Sequence, residues 1–305
     1  MTARLLWLDV ARGLAVLAML AFHLGWDLGH FGHIDPDIPY SQAYKAFGHA
    51  TAASFLLIAG VSLTLAHGTA FRARAYWRRL ALLIGAALLV SGGTYIAFPS
   101  SFVFFGILHC IAAASLLAVP FFFLPWPAAF VAGFALVAAS FFARAPLFDA
   151  PVFWWTGLST FEPLTNDYRP LAPWAAALLF GVGVAKLARL RPTPVTDSPS
   201  RKDGGPATRG LAFLGRHSLA LYLVHQPVLF AGFTAAAMLL ASIQNARFEE
   251  ACRAQCVAAG ADVQKCATAC DCAAREAARE DVLPEVTTDE GRARLERIAR
   301  ACVVK

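Results

Sequence analysis

The sequence predicts an all-α fold: a polytopic transmembrane helix bundle of about seven spans, with a small disulfide-stapled helical tail. Three observations carry this. The chain is 58% hydrophobic and only 15% charged, where a soluble domain carries about 25% charge. Its apolar residues gather in runs near the ~20 residues that a membrane crossing needs. Six of the seven cysteines fall after residue 241, where the composition changes. The net charge of +6 calls for no nucleic-acid partner, because the basic residues sit mostly in particular loops.

The first span covers roughly 6–26 and organises the rest. It keeps Asp9 and Arg12, and no small-residue cleavage signal follows it, so it reads as a retained helix rather than a signal peptide. On a helical wheel Asp9, Arg12, His23, Asp27 and His30 all fall within about 60° of one another. Ionisable groups at membrane depth turn toward a protein interior or a water-filled cavity. Arg12 and His23 are roughly 16 Å apart along the axis, enough to serve two ends of one cavity. The plainer reading makes Asp9 and Arg12 interfacial anchors and His23 a packing residue.

Further spans are expected at 47–67, 77–97, 102–120, 123–142, 171–190 and 217–241, with a tight apolar turn at Phe121–Pro127. Arg72, Arg74, Arg78 and Arg79 carry no nearby acid, and residues 186–216 hold seven basic residues against Asp197 and Asp203. These loops are expected in the cytoplasm. Loops 27–46 and 143–170 are richer in acid and are expected outside. The amino end is then cytoplasmic and the carboxyl end periplasmic. Residues 1–241 form the transmembrane domain, interrupted by a cytoplasmic linker over 191–209 that is rich in Pro, Gly and Ser.

The tail, 242–305, holds Cys252 and Cys256 one turn apart and Cys266 and Cys270 likewise. Two antiparallel helices turning at Ala258–Asp262 would set Cys252 opposite Cys270 and Cys256 opposite Cys266, leaving Cys272 and Cys302 for a third bridge. An even count outside the cytoplasm favours disulfides; a zinc or other metal site is one alternative, and a reduced cytoplasmic tail, which needs an even number of spans, is another. Cys110, inside a span, reads as a small apolar residue.

His23 is the candidate general base, since imidazole titrates near neutrality and Asp27 lies one turn away to orient it or to bind substrate directly. Arg12 suits an anionic ligand such as phosphate. His109 stands in an apolar run, suited equally to a structural hydrogen bond or a cavity. His49 opens a span beside small residues that permit close packing near His23. Asp167 and Arg169 introduce the sixth span from outside, lining a mouth or capping a helix. His217 and His225 frame the last span, where Pro227 frees a carbonyl at mid-membrane. No dinucleotide fingerprint, phosphate loop or zinc-protease signature is present, and no metal site is expected.

Leu8-Asp9-x-x-Arg12-Gly13 followed by His23 resembles the opening of integral-membrane acyltransferases, and the Arg-to-His spacing is shared with the acyltransferase-3 superfamily. The nearer resemblance is to the DUF1624 group, related to heparan-alpha-glucosaminide N-acetyltransferase. Phe55–Ser62, Phe105–His109, Asp167–Trp174 and Leu214–Pro227 carry it, over residues 4–240. The resemblance implies acyl transfer from cytoplasmic acyl-CoA, acetyl-CoA first among them, to a sugar, glycan or amine acceptor on the periplasmic side of a bacterial inner membrane. By resemblance His23 takes the catalytic role, as base or as acyl carrier, and Arg12 the donor side, where Arg78 and Arg79 suit a coenzyme-A phosphate. The residues themselves add Asp27 beside His23, His109 at the donor cavity, and His49, Asp167 and Arg169 at the acceptor side. Membrane lipids surround the bundle, and a homodimer is left open. The second reading is a transporter or flippase using the same polar cavity.

Overall fold

The computed structural model describes residues 5–67, 70–188, 205–280, 282–285 and 288–303. They are helical, and they divide into two compact units, 1–227 and 228–305. In the first unit α1 (Leu6–His30), α2 (Gln42–His67) and α3 (Ala73–Ala97) are long and apolar enough to cross a membrane, as is α8 (Ser218–Ala258), which enters the second unit. Three apolar helices are shorter: α4 (Ile107–Leu117), α5 (Trp126–Phe142) and α6 (Leu171–Leu187). Among the described residues four helices therefore have membrane-crossing length, fewer than the seven full-length spans expected.

The stretch around 102–120 departs most from expectation, because its helix begins only at Ile107. Phe105 instead bridges in parallel to Tyr168. Arg169 N donates to Phe105 O, and Asn166 N donates to Ser101 O. The backbone of 101–105 is thus satisfied by the loop before α6 and, at Val103, by Ser91 and Thr94 of α3, rather than by a helix of its own. Asp167 then caps α4, its Oδ2 accepting from Ile107 N at 2.8 Å. A Cβ on Gly106 would stand 2.4 Å from that oxygen, so only glycine lets the carboxylate reach the helix start.

The end of the expected linker also differs. Residues 191–204 lie outside the described residues, but Pro206–Arg216 form an amphipathic helix, α7, with Pro at its first position. It packs along α1 at glycine contacts: a Cβ on Gly13 would meet Leu211 O at 2.1 Å, and one on Gly215 would meet Asp9 O at 1.8 Å. The same device joins α2 to α6, where Cβ atoms on Gly60 and Gly181 would meet Leu178 O and Leu57 O. Such small residues let helix backbones approach closely where water drives no association. The largest core cluster gathers Leu56, Leu63, Tyr76, Cys110, Leu178 and Val182 from α2, α3, α4 and α6, all almost fully buried.

The Phe121–Pro127 turn is held from α6. Lys186 Nζ donates to the carbonyls of Phe121 (2.8 Å), Phe122 (3.0 Å) and Leu124, so a single ammonium satisfies three carbonyls that no helix could.

In the second unit α8 runs through position 241 without a break and ends at Ala258. Gly260, at φ +86°, turns the chain, and Asp262 caps α9 (Val263–Arg279) by accepting from Gln264 N and Lys265 N. Disulfides join Cys252 to Cys270 and Cys256 to Cys266 across this hairpin. A third joins Cys272 to Cys302 on α10 (Asp289–Val303). The six sulfurs are thereby consumed, and none remains as a thiolate for a metal.

Candidate functional site

The first unit holds a series of polar groups that begins near the first turns of α1. Arg12 sits one turn from Asp9, with Nη1 at 3.3 Å from Oδ1. Its Nη2 donates to Ser62 Oγ on α2 at 2.5 Å, and that hydroxyl donates onward to Ile58 O. Arg12 thus turns into the bundle rather than out to an interface. It shares a cavity of about 120 Å³ with Arg79, Phe55, Ile111, Ser218 and Tyr222. Arg78 is exposed and does not line this cavity, because adjacent helical residues point about 100° apart. Only Arg79 of that pair joins Arg12.

Tyr222 leads to the centre. Its ring lies 5.7 Å from that of His225, and the His225 ring lies 4.6 Å from that of His23 at an interplanar angle of 64°. The His225 tautomer follows from its partners. Nδ1 contacts Tyr222 O at 2.8 Å and Leu221 O at 3.2 Å; carbonyls only accept, so Nδ1 carries the proton. Nε2 is then a bare lone pair, buried and without a hydrogen-bond partner in the structure. Next to it, Gln226 Nε2 donates to Asp27 Oδ1 at 2.9 Å. Asp27 is fully buried, and its Oδ2, like Gln226 Oε1, has no partner. Among the described residues no hydrogen bond joins Asp27 to His23. The amide from the Pro227-interrupted segment of α8 takes the carboxylate instead.

The same unit holds a larger cavity of about 720 Å³, lined by His49, Trp174, Arg169, Tyr168, Glu162 and Arg144 among others. Arg169 lines this cavity together with His49. It stacks over Trp174 at 4.7 Å and lies 3.7 Å from Asp167. The His49 ring meets Trp174 edge-on at 5.2 Å. Burial, helped by the nearby Glu162 carboxylate, pushes the Tyr168 phenol up to about 12, so it stays protonated and donates to Trp154 O at 2.6 Å. Below this loop, Asp149 accepts from Thr160 N, Thr160 Oγ1 and Ser159 Oγ, bonds that hold its carboxyl below the usual range.

The structure therefore brings Asp27 to a buried position and His23, Arg12 and Arg79 to half-buried ones within one bundle, with His49 and Arg169 at the larger cavity. Asp167 sits beside that cavity as the cap of α4. His109 is tied into the framework instead. Gly106 N donates to its Nδ1 at 3.3 Å, which leaves Nε2 to donate to Ser91 Oγ at 3.2 Å. Sequence reasoning named His225 only as a flank of the last span and passed over Gln226. The signal was present: an imidazole and an amide inside an apolar run, where polar groups mark functional sites.

A bundle of apolar helices, several long enough to cross a membrane, defines a multi-pass membrane protein. The model of the heparan-alpha-glucosaminide N-acetyltransferase catalytic family matches residues 4–227, and the chain belongs to that family. The match ends where the first compact unit ends, so the stapled tail lies outside it. No curated protein and no solved structure matched. Membership makes this a membrane enzyme of the acyl-transfer class, with a donor of the acyl-CoA type.

Proposed function

We propose that the protein transfers an acetyl, or other acyl, group from cytoplasmic acyl-CoA to an amine or hydroxyl acceptor, a sugar or glycan, on the periplasmic side of the inner membrane. In this reading α1 to α6 and α8 make seven crossings, with the shorter helices completed by their flanking apolar turns. One observation carries the proposal: His23 and His225 face each other at 4.6 Å, and the His225 ring lies 5.7 Å from that of Tyr222, which lines the cavity holding Arg12 and Arg79.

The donor enters at Arg12 and Arg79, whose guanidinium groups match the phosphates of coenzyme A. By the covalent route, the His23 lone pair attacks the thioester carbon and the C–S bond breaks, so the coenzyme leaves as thiolate. The other His23 nitrogen gives its proton to His225 Nε2, and that proton then passes to the thiolate. The acceptor attacks the acyl-imidazole, loses its proton to His225, and His23 leaves with the bonding pair and regains a proton. By the direct route His23 removes the proton of the acceptor as it attacks the thioester, the C–S bond breaks, and the proton passes through His225 Nε2 to the departing thiolate. In both routes His225 suits the task because Nδ1–H stays bonded to two carbonyls when Nε2 takes a proton. Asp27, held by Gln226, places a negative charge beside the cationic stage.

The test is turnover of acetyl-CoA by purified protein in nanodiscs with a pool of sugar and amine acceptors, following free thiol. His23→Ala is expected to abolish release while leaving donor binding, and Arg12→Ala to weaken binding. Labelled acetyl retained on the protein without acceptor selects the covalent route. Absence of saturable binding to any acyl-CoA by folded protein would overturn the proposal and favour transport through the same cavity.

A further inference from the structure

The larger cavity has two chemically distinct halves. Its α2 wall runs from His49 to Leu57, eight residues or about 12 Å along the axis, a large part of the way to the middle of a ~30 Å hydrocarbon core. The deep half is lined by Ala53, Leu57, Val137, Ala176, Ala177 and Phe180. Alanines on α2 and α6 keep it open, while α2 and α5 pack on α6 from either side. The shallow half carries Arg144, Glu162, Tyr168 and Arg169. Arg144 sits where α5 ends, its Nε donating to Ser140 O at 2.8 Å, and among the described residues no carboxylate pairs with it. Its remaining guanidinium donors are therefore available to a ligand. A sugar free in water would have no use for the hydrocarbon-lined half, and an apolar molecule none for the arginine.

Resting on the acyl-transfer reading, we propose that the acceptor is lipid-linked: a sugar or amine headgroup joined through a phosphate to a hydrocarbon tail. The tail lies against Ala53, Ala177 and Phe180. Arg144 takes the phosphate, since a guanidinium matches phosphate oxygens in a bidentate fork. The headgroup turns inward past Trp174 and Arg169, which stack at 4.7 Å. A membrane-borne acceptor also explains why the deep half lies at hydrocarbon depth rather than above it.

The experiment measures binding of radiolabelled farnesyl phosphate, a single-tailed lipid phosphate, to the full chain in phosphatidylcholine nanodiscs, beside acetyl-CoA binding to the same preparation. Wild type is expected to bind the probe saturably. Arg144→Gln and, separately, Ala53→Leu are expected to weaken it at least tenfold while acetyl-CoA binding stays unchanged. Farnesol binding as well as farnesyl phosphate, or probe binding unmoved by both substitutions, would overturn the proposal. Displacement by inorganic phosphate at comparable concentration would make this a free-anion site, and displacement by phosphatidylglycerol in the disc would assign the cavity to bulk lipid; either result also overturns it. Loss of acetyl-CoA binding with lipid binding intact would instead count against the acyl-transfer reading.

Discussion

Replacing His225 with glutamine tests the paired-imidazole chemistry most directly. In the structure the ring is oriented by Nδ1–H bonds to Tyr222 O and Leu221 O, and its Nε2 is unpartnered beside His23. A glutamine amide can still donate to a helix carbonyl, so local structure is kept, but it cannot take a proton. General acid–base catalysis by a positioned group contributes about 10²–10⁴ in rate, or roughly 2.7–5.4 kcal/mol at 1.36 kcal/mol per tenfold. The loss is expected in kcat. KM for acyl-CoA should hardly move, because Arg12 and Arg79 bind the donor in a separate cavity. The assay is thiol release from acetyl-CoA by nanodisc-reconstituted protein, with thermal unfolding measured on the same sample. A kcat within threefold of wild type in stable protein would refute the reasoning. So would a loss of activity matched by an equal loss of thermal stability in both His225→Gln and His225→Ala, since the ring would then serve packing alone.

Other substitutions probe the frame. Gly60→Ala places a Cβ 2.0 Å from Leu178 O and must separate α2 from α6; overpacking of this kind costs about 1–3 kcal/mol, read as a lowered unfolding temperature in detergent. Asp167→Ala removes the charged acceptor from Ile107 N, an interaction of about 1.5–3 kcal/mol, and should expose the start of α4 to hydrogen exchange. Lys186→Met leaves the carbonyls of Phe121, Phe122 and Leu124 without their donor, and proteolysis should then cut that turn faster than in wild type. Alkylation of unreduced, denatured protein should label Cys110 alone, whereas reduction first should expose the six tail cysteines; more than one label without reduction would contradict the pairing.

Much of this architecture was legible in one dimension, because membrane solvation is a local rule. A run of apolar residues must become a helix in lipid whatever its neighbours do, and a polar group inside such a run must face inward. Hence the long helices, the polar face of α1 and the family resemblance could be read from residues 6–227. The tail was legible for a different reason: cysteines one turn apart on two helices can pair in few ways. What escaped were features set by contacts between segments distant in sequence. The late start of α4 depends on pairing between 101–105 and 166–169, and α7 is stabilised by laying Gly215 against α1. The sequence of α1 by itself set two histidines, an arginine and two carboxylates on one stripe. Only tertiary structure decided what each would meet: Ser62 for Arg12, Gln226 for Asp27, and for His23 a second imidazole about two hundred residues away. Helix periodicity orders side chains around one axis, but it carries no information about which face of another helix will close against them.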